Sequence, residues 1–310
     1  MYLSIVIPAY NEEKNVVLLY DELKKVLGKL KKDYEIFFID DGSTDQTFEN
    51  LTKLNSRDKK VRVIKLRKNF GQTAAMNAGF SAATGELIIT MDSDLQNDPS
   101  DIPRLIEKIN EGYDVVSGWR ENRKDNLSKR IFSVFANSIR RTLTGEKIHD
   151  SGCSLKSYRK ECFDGIDLYG EMHRYIPAIL SWKGYKVTEI KVNHRQRKFG
   201  KTKYNLLRLI KGGLDLIVVA FWQRYSARPM HVFGTLGLLT SALGSILGIY
   251  LAYLRLILGQ GIANRPLLLL AILLVILGIQ FLIYGLLADI MIKLYYSSRK
   301  DKNYSIEKIL

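Results

Sequence analysis

The sequence predicts an α/β domain on a doubly wound, mainly parallel sheet, followed by interfacial amphipathic helices and a two-helix transmembrane hairpin. Three observations carry this expectation. Short β-branched runs alternate with helical periodicity over residues 3–118, acid-rich clusters follow those runs directly, and residues 229–254 and 266–288 contain no Asp, Glu, Lys or Arg. Such alternation is the pattern of βαβ units, with helices on both faces of a sheet.

Residues 3–7 read as a buried strand, after which Val16, Leu19, Leu23, Val26, Leu27 and Leu30 recur at the spacing of one helix face. Residues 35–39, 61–66, 86–91 and 113–117 read as further strands, with helix patterns between most of them. Ligands of open α/β sheets bind beyond the strands' carboxyl ends. The polar clusters fall there: Pro8-Ala9-Tyr10-Asn11-Glu12-Glu13 after the first strand, Asp40-Asp41-Gly42-Ser43-Thr44-Asp45 after the second, Asp92-Ser93-Asp94 after a later one. No G-x-G-x-x-G fingerprint and no P-loop opens any helix.

Asp92 and Asp94 stand one residue apart, and an extended backbone sends both to the same side. Two hard oxygen ligands suit Mg²⁺ or Mn²⁺ with positions left open for phosphate, and Gln96 adds a neutral oxygen. A lone D-x-D is better read as a turn or N-cap before Pro99. Here the other acid-rich strand ends favour a nucleotide-sugar donor whose diphosphate leaves. The segment from Asp41 to Asp45 is also a turn and N-cap, and both readings can hold.

The chain has 310 residues, 46% of them hydrophobic, and a net charge of +15. That surplus suggests a polyanionic partner: nucleic acid, an anionic membrane surface or a phosphorylated small molecule. Cys153 and Cys162 are too few for a disulfide framework and lack metal-site spacing, so they read as buried packing residues in a reducing compartment. The opening apolar run is too short, and lacks the basic flank, for a cleaved signal, so the first domain is expected in the cytosol.

The combination Pro8-x-Tyr10-Asn11-Glu12, Asp40-Asp41-Gly42-Ser43-x-Asp45, Asn69-Phe70-Gly71-Gln72 with Asn77-Ala78-Gly79, and Asp92-x-Asp94-Leu95-Gln96 resembles family 2 glycosyltransferases of the GT-A fold. More narrowly, it resembles the polyprenyl-phosphate glycosyltransferases, and the resemblance covers the whole chain. It implies inverting, metal-dependent transfer of a hexose from a nucleoside-diphosphate sugar to polyprenyl phosphate. It further implies that Pro8, Tyr10, Glu12, Asp40, Asp41 and Asp92 bind the donor nucleotide, and that Asp92, Asp94 and Gln96 hold Mg²⁺ or Mn²⁺ and the diphosphate. Asp94, Asp150, Arg120 and Arg197 form the implied catalytic set.

Residues 120–147 are strongly basic. Scattered Lys on a solvated helix face would explain part of this, but arginines suit a phosphate through two charge-assisted hydrogen bonds in fixed geometry. The resemblance places Arg120 and Lys129 or Arg130 on the lipid phosphate. His149 and Asp150 begin a stretch resembling the family's D-x-G-x-x-x-K loop, which ends at Lys156. Asp150 orients the acceptor or the sugar, or caps a turn; His149 reads as a polar-network residue, because no second metal ligand sits at useful spacing. Glu171, His173 and Arg174 are assigned to sugar recognition or site architecture, since an ionised phosphate acceptor needs no general base.

Residues 183–211 carry a run of Lys and Arg against one acid, Glu189. Charge alone would allow a nucleic-acid arm, but the apolar residues from Leu206 to Trp222 argue for a membrane interface, with the basic residues on anionic headgroups. By resemblance Arg197 and Lys203 sit in a loop closing over the donor diphosphate and lipid phosphate.

The uncharged stretches exceed the ~20 residues needed to span a bilayer. Their short linker makes a hairpin, and the positive-inside rule puts the catalytic domain and both termini in the cytosol. The expected organisation is a catalytic domain over 1–203, interfacial helices over 204–228, spans over 229–254 and 266–288, and a basic tail over 289–310. Small residues in the first span could serve helix pairing or oligomer contacts, and a homotetramer is known among the resembling proteins. No nucleic acid is expected as a partner.

Two other readings compete. A processive polysaccharide synthase should carry Q-x-x-R-W and more spans, and a basic membrane-surface scaffold leaves the strand-end carboxylates without purpose. The two-span hairpin resembles that of the bacterial glucosyl enzymes, which implies UDP-glucose or a close relative as donor, with mannose also expected; UDP and GDP are not separated.

Overall fold

Strand β1 (Leu3–Ala9) is covered on both sides, and its side chains are shared between two cores. Leu3, Ile5 and Ile7 join one cluster and Val6 the other, as the two-residue period of a strand dictates. The computed structural model describes residues 1–121, 148–166, 168, 170, 172–196, 229–261 and 266–299. The chain divides into two compact units, Met1–Ala220 and Phe221–Leu310.

In the first unit β2 (Tyr34–Asp40), β3 (Val61–Lys65), β4 (Leu87–Thr90), β5 (Val115–Trp119), β6 (Lys156–Arg159) and β7 (Val187–Lys191) join β1 in one sheet of order β3-β2-β1-β4-β6-β5-β7. Only β6 runs antiparallel to its neighbours β4 and β5. The mainly parallel sheet expected from the alternation is therefore present. β6 and β7 were not foreseen: Lys-Ser-Tyr-Arg lacks an apolar run, and β7 lies within a stretch dominated by basic charge. Pairing on both edges makes a strand of β6, burying Ser157 and Tyr158 completely.

Helices α1 (Val16–Lys29), α2 (Thr47–Arg57) and α4 (Ile102–Asn110) bury Leu19, Leu23, Leu51 and Leu105 in the cluster with Leu3 and Ile5. Helices α3 (Gln72–Ala82) and α5 (Ile176–Trp182) bury Met76, Phe80, Ile176 and Leu180 in the other, with Val6 and Ile39. Gly79 allows α3 to approach that closely; a Cβ there would meet Ile39 Cδ1 at 2.9 Å.

The chain runs from β1 outward through β2 to β3, then returns to place β4 on the other side of β1. This is a topological switch point, where open α/β sheets have their ligand crevice outside the strands' carboxyl ends. The polar segments after β1 and β4 flank it, joined where Ser93 Oγ donates to the Pro8 carbonyl at 3.0 Å.

The second unit holds α6 (Pro229–Leu256) and α7 (Pro266–Arg299), packed against each other. Pro229–Leu256 and Pro266–Ile292 are long and apolar enough to cross a membrane. Small residues of α6 serve the pairing of these two helices. A Cβ at Gly237 would lie 2.7 Å from the Gly278 carbonyl, and one at Gly244 2.8 Å from that of Ala271.

Candidate active site

The segments after β1 and β2 are laced together by hydrogen bonds. Asn11, held at φ 55°, donates its N–H to Ser43 Oγ at 3.0 Å and accepts from the Thr44 N–H at 2.8 Å. Glu12 N–H donates to Thr47 Oγ1 at 2.8 Å, and Glu13 N–H to Asp45 Oδ2 at 3.2 Å. Asp45 also accepts from the Thr47 N–H at 3.0 Å, so the turn-and-cap reading of this segment holds. Asp40, fully buried, accepts from the Ser43 N–H at 3.1 Å.

Asp41 anchors the segment before α3: its two carboxylate oxygens accept from Phe70 N–H at 2.8 Å and Gly71 N–H at 2.9 Å. Next in the chain, Gln72 donates from Nε2 to Asp92 Oδ1 at 2.9 Å, joining the β2 side of the crevice to the β4 side. Asp94 is buried and accepts from the Gln96 N–H at 3.1 Å, around Leu95 at φ 63°. Gln96 also bonds the backbone of Arg195, accepting its N–H at 2.9 Å. Asn97 Oδ1 accepts from Asp92 N–H at 3.3 Å and Ser154 Oγ at 2.8 Å.

Among the described residues no group of three or more His, Cys, Asp or Glu gathers as a metal cage. Asp92, Asp94 and Gln96 follow β4 within one five-residue stretch and offer carboxylate and amide oxygens, the donor types that Mg²⁺ and Mn²⁺ take alongside phosphate and water.

Arg120, directly after β5, forks onto Asp150, with Nε to Oδ2 at 2.7 Å and Nη2 to Oδ1 at 3.0 Å. Burial works against the charged guanidinium, but the hydrogen bonds and charge of Asp150, with further contributions that include Asp92, overcome it and push its pKa up. Lys156, buried at the start of β6, donates to the Ser151 carbonyl at 3.0 Å. His149 belongs to a polar network, as expected: its ring nitrogen pairs with Glu189, its N–H donates to Glu189 Oε2 at 2.7 Å, and its ring stacks on Trp119.

His173 meets the start of α3, where its Nδ1 is 2.7 Å from Thr73 Oγ1. Thr73 donates its single hydroxyl proton to the Gly170 carbonyl at 2.6 Å, so His173 Nδ1 is the donor in that contact. Arg174 follows on the same short turn. Lys129, Arg130, Glu171, Arg197 and Lys203 lie outside the described residues, as do the interfacial helices expected over 204–228.

Gln72, Thr73, Asn97 and Arg195 belong to the site's framework, although sequence reasoning gave them no role. Gln72 stood within a quoted motif, but nothing local to it pointed to Asp92. Arg195 pairs with Glu22 and Asp98 at 2.7 Å each, contacts that only the fold creates.

The family model for glycosyl transferase family 2 matches residues 4–166. The chain is 41% identical to dodecaprenyl-phosphate galacturonate synthase of Rhizobium johnstonii, over 99% of this chain and 92% of that protein. It is 36% identical to undecaprenyl-phosphate 4-deoxy-4-formamido-L-arabinose transferase of Klebsiella pneumoniae, over 99% and 93%. Its fold is similar to the crystal structure of Mycobacterium tuberculosis glucosyl-3-phosphoglycerate synthase in complex with Mn²⁺, UDP and phosphoglyceric acid. That likeness has a TM-score of 0.56 and 18% identity, over 72% of this chain and 78% of that one. The chain belongs to glycosyl transferase family 2, as a GT-A glycosyltransferase of the polyprenyl-phosphate group.

Proposed function

We propose that this enzyme transfers a uronic acid or a 4-amino-4-deoxyarabinose derivative from a UDP-linked donor to a polyprenyl phosphate, with inversion. A shared acceptor carries the reading: Asn97 Oδ1 takes both the N–H of the donor-side acid Asp92 at 3.3 Å and the hydroxyl of Ser154 at 2.8 Å, from the same loop as Asp150. The choice of sugar follows the relatives named for galacturonate and formamido-arabinose, and it replaces the glucose or mannose expected from the sequence. UDP as carrier is supported by the fold relative solved with UDP.

Pro8, Tyr10, Glu12, Asp40 and Asp41 frame the nucleoside side of the crevice. Asp92, Asp94 and Gln96 would hold Mg²⁺ or Mn²⁺, which supplies neutralising charge for the departing diphosphate. Asp150 keeps the guanidinium plane of Arg120 fixed, so its remaining N–H groups meet the acceptor phosphate in a set orientation. Lys129, Arg130, Arg197 and Lys203 add phosphate-binding charge, while Glu171, His173 and Arg174 serve sugar recognition or the architecture of the site. A phosphate oxygen of the lipid bonds to the anomeric carbon as the carbon–oxygen bond to the diphosphate breaks, and the nucleoside diphosphate leaves with the electron pair. The acceptor carries roughly −1.5 to −2 charges, by analogy with protein phosphates, and attacks without a general base.

The two apolar helices fit a membrane anchor. The flanking Lys and Arg favour a cytosolic catalytic domain with both termini on that side, where the lipid phosphate of the inner leaflet is in reach. Transfer to polyprenyl phosphate in detergent tests the whole reading, using UDP-galacturonate, UDP-4-deoxy-4-formamido-L-arabinose, UDP-glucose and GDP-mannose, each with and without a chelator. Product from either of the first two, lost on chelation, is expected; product from UDP-glucose or GDP-mannose alone would overturn the sugar assignment.

A further inference from the structure

We propose that Gln72 is a positioning residue that sets the carboxylate of Asp92 for the metal–diphosphate of the donor. The inference rests on the donor reading above and deepens it. Asp92 is held from two directions: its N–H by Asn97 Oδ1 at 3.3 Å, and its Oδ1 by Gln72 Nε2 at 2.9 Å. Gln72 is itself held in place. It is the first residue of α3, it follows Gly71 at φ 95°, and the N–H groups of Phe70 and Gly71 are both clamped by Asp41. The segment also packs directly on Gly42, where a Cβ would lie 2.7 Å from Asn69 N. Asp41, at the end of β2, thus fixes the start of α3, and Gln72 carries that placement across to the end of β4.

The chemistry suits the task. An amide N–H orients a carboxylate without cancelling its charge, whereas Lys or Arg at the same place would compete with the cation. Partners behind a metal-binding carboxylate commonly contribute 10- to 100-fold in metal affinity, on the order of what one charged hydrogen bond supplies.

The test measures UDP affinity of the full-length protein in detergent, with Mn²⁺ and in its absence, alongside the melting temperature. Gln72→Met keeps the side chain's length and removes the donor, and Gln72→Glu keeps its shape and adds a repelling charge. Gln72→Met is expected to lower Mn²⁺-dependent UDP affinity about tenfold and Gln72→Glu more, with metal-free UDP affinity and melting temperature unchanged for Gln72→Met. Wild-type-like Mn²⁺ dependence in Gln72→Met, when Asp92→Ala loses it, would overturn the role of Gln72 alone. A wild-type protein that binds UDP without any effect of Mn²⁺ would overturn the metal reading and this inference with it.

Discussion

Arg120 and Asp150 meet as a two-point fork across 30 residues of chain, at 2.7 and 3.0 Å, with side chains only 13% and 7% exposed. Removing one partner of so buried a pair strands the other charge. Asp150→Ala is expected to lower unfolding stability by about 3–5 kcal/mol. It should also raise the KM for polyprenyl phosphate more than the KM for the nucleotide sugar. Denaturant titration and steady-state kinetics check both; an unchanged acceptor KM would remove Asp150 and Arg120 from the acceptor side.

Asp94→Ala should reduce turnover on the order of 10²-fold or more, the scale of removing one preorganised electrostatic group at a leaving site. Membrane flotation should not change, because α6 and α7 belong to a separate unit. Retained activity would contradict the metal assignment.

The acid limb of stability should carry the signature of Glu35. Its carboxylate is buried, which opposes ionisation, but Ser4 Oγ, the Thr84 N–H and hydroxyl, and the charge of Arg62 together hold its pKa below the usual 4.5. The unfolded chain therefore binds a proton first as pH falls, so this contribution is complete above pH 4.5 and is lost as pH drops through the lower folded value. Ser4→Ala weakens that preference, so its urea midpoint should be lower than that of the wild type at neutral pH and should fall less as the pH drops below 4.5.

Both cysteines should resist alkylation in the native protein. Burial pushes the thiol of Cys153 up to about 11 and that of Cys162 up to about 12, so neither forms thiolate at pH 8. Labelling with iodoacetamide before and after unfolding, read by mass spectrometry, tests this. Modification of Cys153 without unfolding would show that the 150–155 segment opens.

Gly278→Leu should separate the hairpin helices. Even a Cβ at Gly278 would lie 2.6 Å from the Gly237 carbonyl, a backbone atom that cannot step aside. Lower melting temperature in detergent and faster proteolysis between α6 and α7 are expected, with UDP binding by the catalytic unit preserved.

The sequence by itself determined the class of this protein. Strands β1 to β5, the helix face of α1, and the two uncharged spans are written in local periodicity, and the acid clusters stand beside those elements in the chain. Family resemblance then attached a chemistry to Asp92, Asp94 and Arg120. Tertiary structure decided the pairings. Asp41 is expected beside the nucleoside from the sequence, and only the fold shows that its carboxylate also holds the N–H groups of Phe70 and Gly71. The polar Lys156–Arg159 becomes a central antiparallel strand because β4 and β5 bond it on both edges. Small residues of the first span are used against α7. Each of these depends on which distant residue satisfies a buried polar group or fills a close contact, and the periodicity of a short window carries no information about that partner.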